Sequence, residues 1–220
     1  FPRLQALPTI IARVRRVFDL ASDPVAIAAQ FAGDPVMTSL IQARPGLRVP
    51  GAWDGFELAL RAVLGQQITV VAAIRLGGKL VAAHGAPMTE PEGALTHVFP
   101  EPAVIAAADL ATLGMPRSRA ATLSAVGAAA VADKHLFDAG SGLDDAVARL
   151  RRIKGVGEWT AQYIALRQLR EPDAFPSADI GLIRALEKLE SRAITPAQLL
   201  ARSEQWRPWR AYAAQHLWTA

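Results

Sequence analysis

The chain has 220 residues, of which 51% are hydrophobic, and it carries a net charge of +4 with a pI of 9.9. This length is enough to bury a core in one or two lobes. The absence of cysteine excludes disulfides, iron–sulfur clusters and cysteine-ligated zinc. No apolar stretch reaches the roughly 18 residues needed to cross a bilayer, and we find no secretion signal. We therefore expect a cytoplasmic protein without a membrane partner.

Helix-forming residues dominate, and the alternation typical of strands is rare, so the sequence predicts an all-α protein. In the first half, helices are expected over about 9–20 and after Asp23-Pro24. Residues 53–84 predict two helices that meet near residues 65–67. Residues 85–102 are rich in Pro, Gly and Thr and predict the longest irregular linker.

The second half predicts a further row of helices. They are expected over 102–113, 117–133, 143–153, 158–169 and 179–189, and after Pro208. Another helix begins at Thr195, where Pro196 at the first helical position and Gln198 at the third predict a capping box.

The most informative stretch is residues 150–179, LRRIKGVGEWTAQYIALRQLREPDAFPSAD. Its basic turn ends in a Gly-x-Gly, and such a turn beside a helix N-terminus presents backbone N–H groups suited to a phosphate. Three apolar side chains, Leu150, Ile153 and Val156, can pack the two flanking helices together. The alternative is an ordinary tight connection between helices with a solvated basic face.

Asp179 ends this stretch at the predicted start of a helix. An aspartate there is commonly the N-cap, although Ser177 could cap instead and release Asp179 for chemistry. Both roles can also coexist, because a capping carboxylate can still direct one oxygen towards a ligand.

Aromatic residues follow the basic turn and recur near the C-terminus. Trp159 and Tyr163 are four residues apart, on one face of a single predicted helix. Such pairs usually belong to a core, which is the expectation for Trp206 and Trp209. A position directly after a phosphate-binding turn also suits a binding pocket. The four histidines are scattered without metal-ligand spacing.

Four segments together resemble the helix-hairpin-helix DNA glycosylase superfamily, and more closely the bacterial 3-methyladenine DNA glycosylase II family. The segments are ARPGLRVPGAWDGFELALRAVLGQQITV (43–70), LGMPRSRAATL (113–123), IKGVGEWTAQYIALR (153–167) and WRPWRAYAAQHLW (206–218). The resemblance implies two helical lobes flanking a cleft. One lobe would be residues 53–171, with the hairpin near 150–160, and the other residues 18–52 with 172–220. Residues 1–17 would be the last helix of a largely absent N-terminal β domain, as in a fusion with a methyl-transfer repair domain.

The resemblance also implies roles for individual residues. Asp179 would be the catalytic aspartate, and Gln67 would be the wedge that fills the gap left by a flipped base, where the family enzyme has leucine. The implied base pocket is Trp159, Tyr163, Trp218 and Gln66. The implied contacts to the DNA backbone are Arg152, Lys154, Gly155, Val156, Gly157 and Thr160. A structural Na⁺ or K⁺ would lie at the backbone carbonyls of Arg151, Ile153 and Val156, and no other cofactor is expected.

The expected function is that of a monofunctional glycosylase, a monomer that removes alkylated purines from duplex DNA. Superfamily members that also cut the strand use a lysine where this chain has Trp159, so no Schiff base is expected there. Two alternatives remain: a non-catalytic helix-hairpin-helix module that binds DNA within a larger repair protein, and a purely structural helical domain.

Overall fold

The protein is described by a computed structural model that covers residues 3–220. These residues form helices and one short hairpin, which confirms the predicted all-α class. The elements are α1 (Leu7–Val17), α2 (Pro24–Gln30), α3 (Pro35–Ala43), α4 (Gly55–Leu64), α5 (Val70–His84), β1 (Pro87–Glu92), β2 (Leu95–His97), α6 (Pro102–Ala107), α7 (Arg117–Ala132), α8 (Leu143–Arg151), α9 (Glu158–Ile164), α10 (Ile180–Glu190), α11 (Pro196–Ser203) and α12 (Arg210–Trp218). Short 3₁₀ turns lie at Leu4–Ala6, Leu110–Leu113 and Glu204–Trp206, and a π-helical segment, Ala165–Leu169, directly follows α9.

The described chain divides into two compact units, each with its own apolar core. One unit combines the chain up to Trp53 with Ala165–Ala220, and the other is Asp54–Ile164. Fully buried side chains of the first include Phe31, Met37, Leu182, Leu186 and Trp206; those of the second include Leu60, Leu80, Ile105, Leu123 and Leu150. Among residues 3–220 no helix is both long and apolar enough to cross a membrane.

Side-chain caps define several helix starts where the sequence predicts them. Asp23 accepts hydrogen bonds from the first turn of α2, and Thr195 and Gln198 form the predicted capping box of α11. The same Asp-Pro signal occurs at Asp34-Pro35, where α3 begins, and this helix was not among those predicted. The signal was present in the sequence, because aspartate caps and proline fits the first helical turn.

The prediction of an irregular linker over residues 85–102 is wrong. Strands β1 and β2 pair in antiparallel fashion, with Glu92 opposite Leu95 and Pro87 opposite His97. The two-residue loop contains Gly93 at φ +57°, and a left-handed residue of this kind suits a tight hairpin. Proline is tolerated because both strands lie at a sheet edge.

The single helix predicted over residues 102–113 is also wrong. Helix α6 ends at Ala107, because Ala108 adopts an extended conformation. The side chain of Asp109 then caps the separate 3₁₀ turn by accepting from the Ala111 N–H at 3.2 Å. A residue that caps a new turn competes with continuation of the preceding helix.

A buried polar cluster fixes α3 in the core of the first unit. Asp34, which is 5% exposed, caps α3 through the Met37 N–H at 3.2 Å and accepts from Trp206 Nε1 at 2.7 Å. Arg202 Nη2 donates to the same carboxylate at 2.9 Å. Trp206 is fully buried, as predicted, whereas Trp209 is only half-buried.

We expect Asp34→Ala to lower the free energy of unfolding by about 2–4 kcal/mol, because it removes the cap of α3, leaves the buried Trp206 Nε1 without its acceptor, and leaves Arg202 paired with Glu190 alone. Asp23→Ala is a matched control, because Asp23 caps α2 in the same way but is exposed, and its loss costs about 1 kcal/mol. Urea unfolding of both variants measures the difference, and equal losses would show that the buried ion pair contributes nothing beyond the cap.

The same cluster predicts a pH dependence. Burial alone would raise the pKa of Asp34, but hydrogen bonds from Arg202, Trp206 and the Met37 N–H hold it below its usual value. A carboxylate whose pKa is lower in the folded state stabilises the fold above its unfolded pKa, near 4. That contribution should be lost as the pH falls through the pKa of Asp34 in the folded protein. In Asp34→Ala the free energy of unfolding should therefore depend less on pH in this range.

Candidate functional site

The predicted hairpin lies between α8 and α9, and its apolar residues pack as expected. Leu150, Ile153 and Val156 are all buried, as expected for side chains that pack two helices together. The polar positions of the turn, among them Arg152 and Lys154, are exposed. The basic side chains of the turn therefore face solvent, while its apolar side chains are buried.

Glycine is required at the tip of this turn. Gly155 has φ +86°, and a Cβ added there would lie 1.9 Å from Thr122 Oγ1 on α7. Gly157 is different, because an added Cβ would meet nothing within 4 Å. Glycine is therefore needed at position 155 for the hairpin to pack against α7. At position 157 a side chain would meet no steric obstacle.

The basic residues of the hairpin differ in their partners. Arg151 forms an ion pair with Glu158 at 2.9 Å, and both side chains are exposed. Neither Arg152 nor Lys154 forms an ion pair within the described part of the chain. Their charges are therefore available to an external anion.

The turn between α4 and α5 contacts the hairpin. Gln66 Nε2 donates to Thr160 Oγ1 at 2.8 Å and, over a longer 3.4 Å, to the Gly155 carbonyl. Arg119 donates to the Gln66 carbonyl. Thr160 is only 2% exposed and its hydroxyl accepts from Gln66, so the predicted contact of Thr160 with the DNA backbone has no exposed atom to support it.

Gln67, the predicted wedge, lies at the tip of the same turn. It is exposed and has φ +56°, a left-handed conformation that is uncommon for a residue other than glycine. The hydrogen bonds of its neighbour Gln66 hold the turn in place. The side chain of Gln67 therefore projects from a fixed backbone.

Trp159 and Tyr163 form a stacked pair on α9. Their ring centroids are 5.3 Å apart, the planes are inclined by 10°, and both residues are half-buried. The predicted common face is confirmed, and an offset stack of this kind provides a flat aromatic surface.

Asp179 is the N-cap of α10, so the alternative in which Ser177 caps is wrong. Its Oδ1 accepts from the N–H groups of Gly181 and Leu182 at 2.9 and 3.0 Å, and from Trp218 Nε1 at 3.0 Å. Three donors hold the carboxylate in one orientation. The structure thus brings together two residues, Asp179 and Trp218, that are 39 positions apart in the sequence.

Gly181 allows this approach. A Cβ added at Gly181 would lie 3.0 Å from Asp179 Oδ1 and 3.4 Å from Trp218 Cδ1. A side chain at this position would therefore crowd the hydrogen bond between the indole and the carboxylate.

Arg167, which lies in the π-helical segment, is not among the predicted site residues. Its guanidinium carbon is 4.9 Å from the centroid of the Trp218 ring. Its Nη1 donates to Gln215 Oε1 at 2.9 Å and to the Pro50 carbonyl at 3.0 Å. An arginine within a predicted helix is normally a solvated residue, so no sequence signal identified this contact.

The candidate residues form two groups, each within one unit. The hairpin, the turn with Gln66 and Gln67, and the aromatic pair belong to Asp54–Ile164; Asp179, Trp218 and Arg167 belong to the other unit. Among residues 3–220 no group of three or more His, Asp or Glu side chains could hold a metal ion. The first group can bind a phosphate backbone, and the second offers a fixed carboxylate beside an indole ring.

Two sequence models of protein families match the chain. The model described as HhH-GPD superfamily base excision DNA repair protein covers residues 60–211, and that of the AlkA N-terminal domain covers residues 1–54. The first match includes the hairpin, the aromatic pair and Asp179.

Curated relatives align over nearly the whole chain. A Mycobacterium tuberculosis protein named probable bifunctional transcriptional activator/DNA repair enzyme AlkA is 45% identical over 97% of this chain and 43% of its own length. DNA-3-methyladenine glycosylase 2 of Escherichia coli is 35% identical over 94% of this chain and 70% of its own. The chain thus spans less than half of the mycobacterial relative.

Solved structures share the fold. A 3-methyladenine DNA-glycosylase from Archaeoglobus fulgidus superposes with a TM-score of 0.84 over 99% of this chain and 75% of its own, at 21% identity. A Schizosaccharomyces pombe 3-methyladenine DNA glycosylase, solved with abasic DNA, superposes with a TM-score of 0.72. The match covers 88% of this chain and 95% of that chain at 20% identity. Identities this low establish the fold alone, but the family match covers most of the chain. The chain therefore belongs to the HhH-GPD superfamily of base excision DNA repair proteins.

Proposed function

We propose that this chain is a monofunctional DNA glycosylase that excises alkylated purines of the 3-methyladenine type from duplex DNA and leaves an abasic site. The observation that carries the proposal is the carboxylate of Asp179, fixed at the start of α10 by two backbone N–H groups and by Trp218 Nε1. Membership in a base excision repair family and the names of the relatives support it.

The chemistry needs a flipped base and one carboxylate. Taking a base out of the stack costs a few kcal/mol, and less when the base is damaged. An alkylated ring nitrogen makes the base positively charged and hence a good leaving group, so no general acid is required. As the glycosidic bond breaks, the base leaves with the bonding electron pair and positive charge grows on the sugar, which Asp179 would stabilise electrostatically. Water then adds to the sugar C1′ and loses a proton, which gives the abasic site.

Aromatic rings would recognise the flipped base. Trp159 and Tyr163 would supply one aromatic surface for the base and Trp218 another, and stacking on an aromatic face favours a cationic ring by about 0.5–2 kcal/mol. Gln67 would occupy the gap in the stack, because it is exposed at the tip of a held turn. We assign Gln66 mainly to bracing the hairpin, since its amide donates to Thr160.

The hairpin would hold the DNA backbone. Arg152 and Lys154 would contact phosphates, and the open space at Gly157 lets a phosphate approach the backbone N–H groups. The carbonyls of Arg151, Ile153 and Val156 would hold a Na⁺ or K⁺, which would add positive charge beside a phosphate. The Ile153 carbonyl accepts the Val156 N–H at 3.0 Å and has a second lone pair for an ion, so the donor chemistry fits.

We expect DNA affinity to fall steeply with salt, because Lys and Arg contacts release counterions from phosphates. Lys154→Ala should reduce the slope of log K against log[salt] by about 1. Arg151→Ala is the control and should change the slope less, because Arg151 is already paired with Glu158. Fluorescence anisotropy at several salt concentrations measures this, and an unchanged slope in Lys154→Ala would remove that residue from the DNA interface.

Monofunctional chemistry is part of the proposal. A strand-cutting mechanism through a Schiff base needs an amine, and Trp159 occupies the position of the lysine used by superfamily members that also cut the strand. Incubation with damaged DNA and borohydride should trap no covalent adduct. An adduct, or strand cleavage without alkali, would contradict this part of the proposal.

The activity itself is tested by base release. Duplex DNA methylated with a simple alkylating agent should release free 3-methyladenine on incubation with the protein, as measured by chromatography. DNA binding without release would favour the alternative of a non-catalytic DNA-binding module.

A further inference from the structure

We infer that Arg119 positions the wedge residue Gln67, because its guanidinium fixes the peptide group that directly precedes Gln67. This role rests on the proposed function, since it requires Gln67 to enter the gap left by the flipped base. Arg119 is thus a positioning residue that acts through Gln67, and it has no contact with the base itself.

The hydrogen bond of Arg119 controls one peptide plane. Arg119 lies in the first turn of α7 and is half-buried. Its Nη2 donates to the backbone carbonyl oxygen of Gln66. That carbonyl belongs to the same planar peptide group as the N–H of Gln67, so its direction is coupled to the φ angle of Gln67. Because the donor is charged, the bond is stronger than one between neutral groups.

Gln67 needs such a hold because its backbone is left-handed. A φ of +56° is uncommon for a residue with a side chain, because Cβ then crowds a backbone carbonyl. Conformations of this kind persist only where the surrounding structure fixes them. The side chain of Gln66 gives a second hold, since its Nε2 donates to Thr160 Oγ1 at 2.8 Å. The turn that carries Gln67 is therefore fixed from two sides, by α7 and by the hairpin.

The step that depends on this hold is the flipping of a paired base. A wedge that is already fixed loses little conformational freedom when it fills the gap, whereas a loose turn has to be ordered at that moment. A mispaired base leaves the stack at a lower cost, so its release depends less on the wedge. Arg119 should therefore matter most for a damaged base that is still paired.

Two arginines of the same helix allow a matched comparison. Arg119→Met removes the donor and keeps most of the side-chain volume. Arg117→Met is the control, because Arg117 lies two residues earlier in α7, is exposed, and loses the same charge. Single-turnover release is timed on duplexes with 3-methyladenine opposite thymine, where it is paired, and opposite cytosine, where it is mispaired. Fluorescence anisotropy gives the affinity for the same duplexes.

We expect Arg119→Met to release the paired base about 10-fold more slowly than Arg117→Met, a factor that corresponds to about 1.4 kcal/mol. Release of the mispaired base should differ by less than about 3-fold between the two variants. The affinity for DNA should fall by the same factor in both, since each variant loses one positive charge. Equal slowing on the two duplexes, or in the two variants, would reduce Arg119 to a structural residue.

A double-mutant cycle with Gln67→Gly tests whether Arg119 acts through the wedge. Glycine has no side chain to insert and adopts a left-handed φ without strain. Adding Arg119→Met to Gln67→Gly should therefore change the release of the paired base by less than about 2-fold. A further loss as large as that in the wild-type background would show that Arg119 acts elsewhere and would overturn the inference.

Thermal melting identifies a variant that has lost its fold. If Arg119→Met unfolds, Arg119→Gln replaces it with Arg117→Gln as the control, and the same difference between paired and mispaired release is expected. If the wild type releases 3-methyladenine from neither duplex, the proposed function fails. If it releases the base and the ratio of paired to mispaired rates is the same in the position 119 and position 117 variants, only the role of Arg119 fails.

Discussion

Asp179→Asn should reduce the rate of base release at least about 100-fold, in line with the loss of one electrostatic group that stabilises a transition state. The substitution removes the charge that would face the developing positive charge on the sugar. It keeps an oxygen for the N–H groups of Gly181 and Leu182 and for Trp218 Nε1. Single-turnover release from methylated duplex DNA measures the effect.

A second N-cap aspartate, Asp23, provides the matched control for Asp179→Asn. Asp23 caps α2 as Asp179 caps α10, accepting from two backbone N–H groups. Asparagine is about as good an N-cap as aspartate, so Asp23→Asn and Asp179→Asn should melt close to the wild type and bind DNA. Only Asp179→Asn should lose release. If Asp179→Asn released the base at a rate within tenfold of the wild-type rate, Asp179 would have only a structural role as the N-cap of α10.

Gly155→Ala should lower the free energy of unfolding by at least about 2 kcal/mol and weaken DNA binding at least tenfold, because two separate costs coincide. The left-handed φ of +86° penalises any side chain. The new Cβ would also meet Thr122 Oγ1 at 1.9 Å and two further Thr122 atoms at 2.8 Å. The hairpin would have to move away from α7, and Gly155 would no longer be in position to accept from Gln66.

Gly157→Ala tests whether the effect belongs to Gly155 or to glycine in general. Position 157 has open space around the added Cβ, so its stability should change by less than about 0.5 kcal/mol. Thr122→Ala should recover part of the loss in the Gly155→Ala background by removing the closest atom. Urea unfolding measures the change in stability, and fluorescence anisotropy measures the change in DNA affinity. Equal losses in Gly155→Ala and Gly157→Ala would contradict the specific requirement for glycine at position 155.

Local signals in the sequence predicted most helices correctly, and the physical reason is that their starts are capped by side chains close in sequence. Thr195 with Gln198 and Asp23 with Pro24 are read directly from neighbouring residues. The hairpin of β1 and β2 was missed because its prolines lower strand propensity, and its pairing depends on a short turn at Gly93. The helix α3 was missed although its signal was present.

The candidate site could be predicted only in part. Asp179 and the stacked face of Trp159 and Tyr163 follow from position in sequence and helical spacing. The contacts of Gln66 with Thr160 and of Arg167 with Trp218 join residues far apart in the chain. Such contacts arise from tertiary packing, and no local pattern encodes them.

The most direct test of the central claim is alkali-dependent strand cleavage of a duplex oligonucleotide methylated at adenine N3. If the chain is a monofunctional glycosylase, the wild-type protein should create sites that break only after alkali treatment, and Asp179→Asn should create almost none while still binding the duplex. Wild-type protein that binds the duplex but creates no alkali-labile site would contradict the claim that this chain cleaves the glycosidic bond.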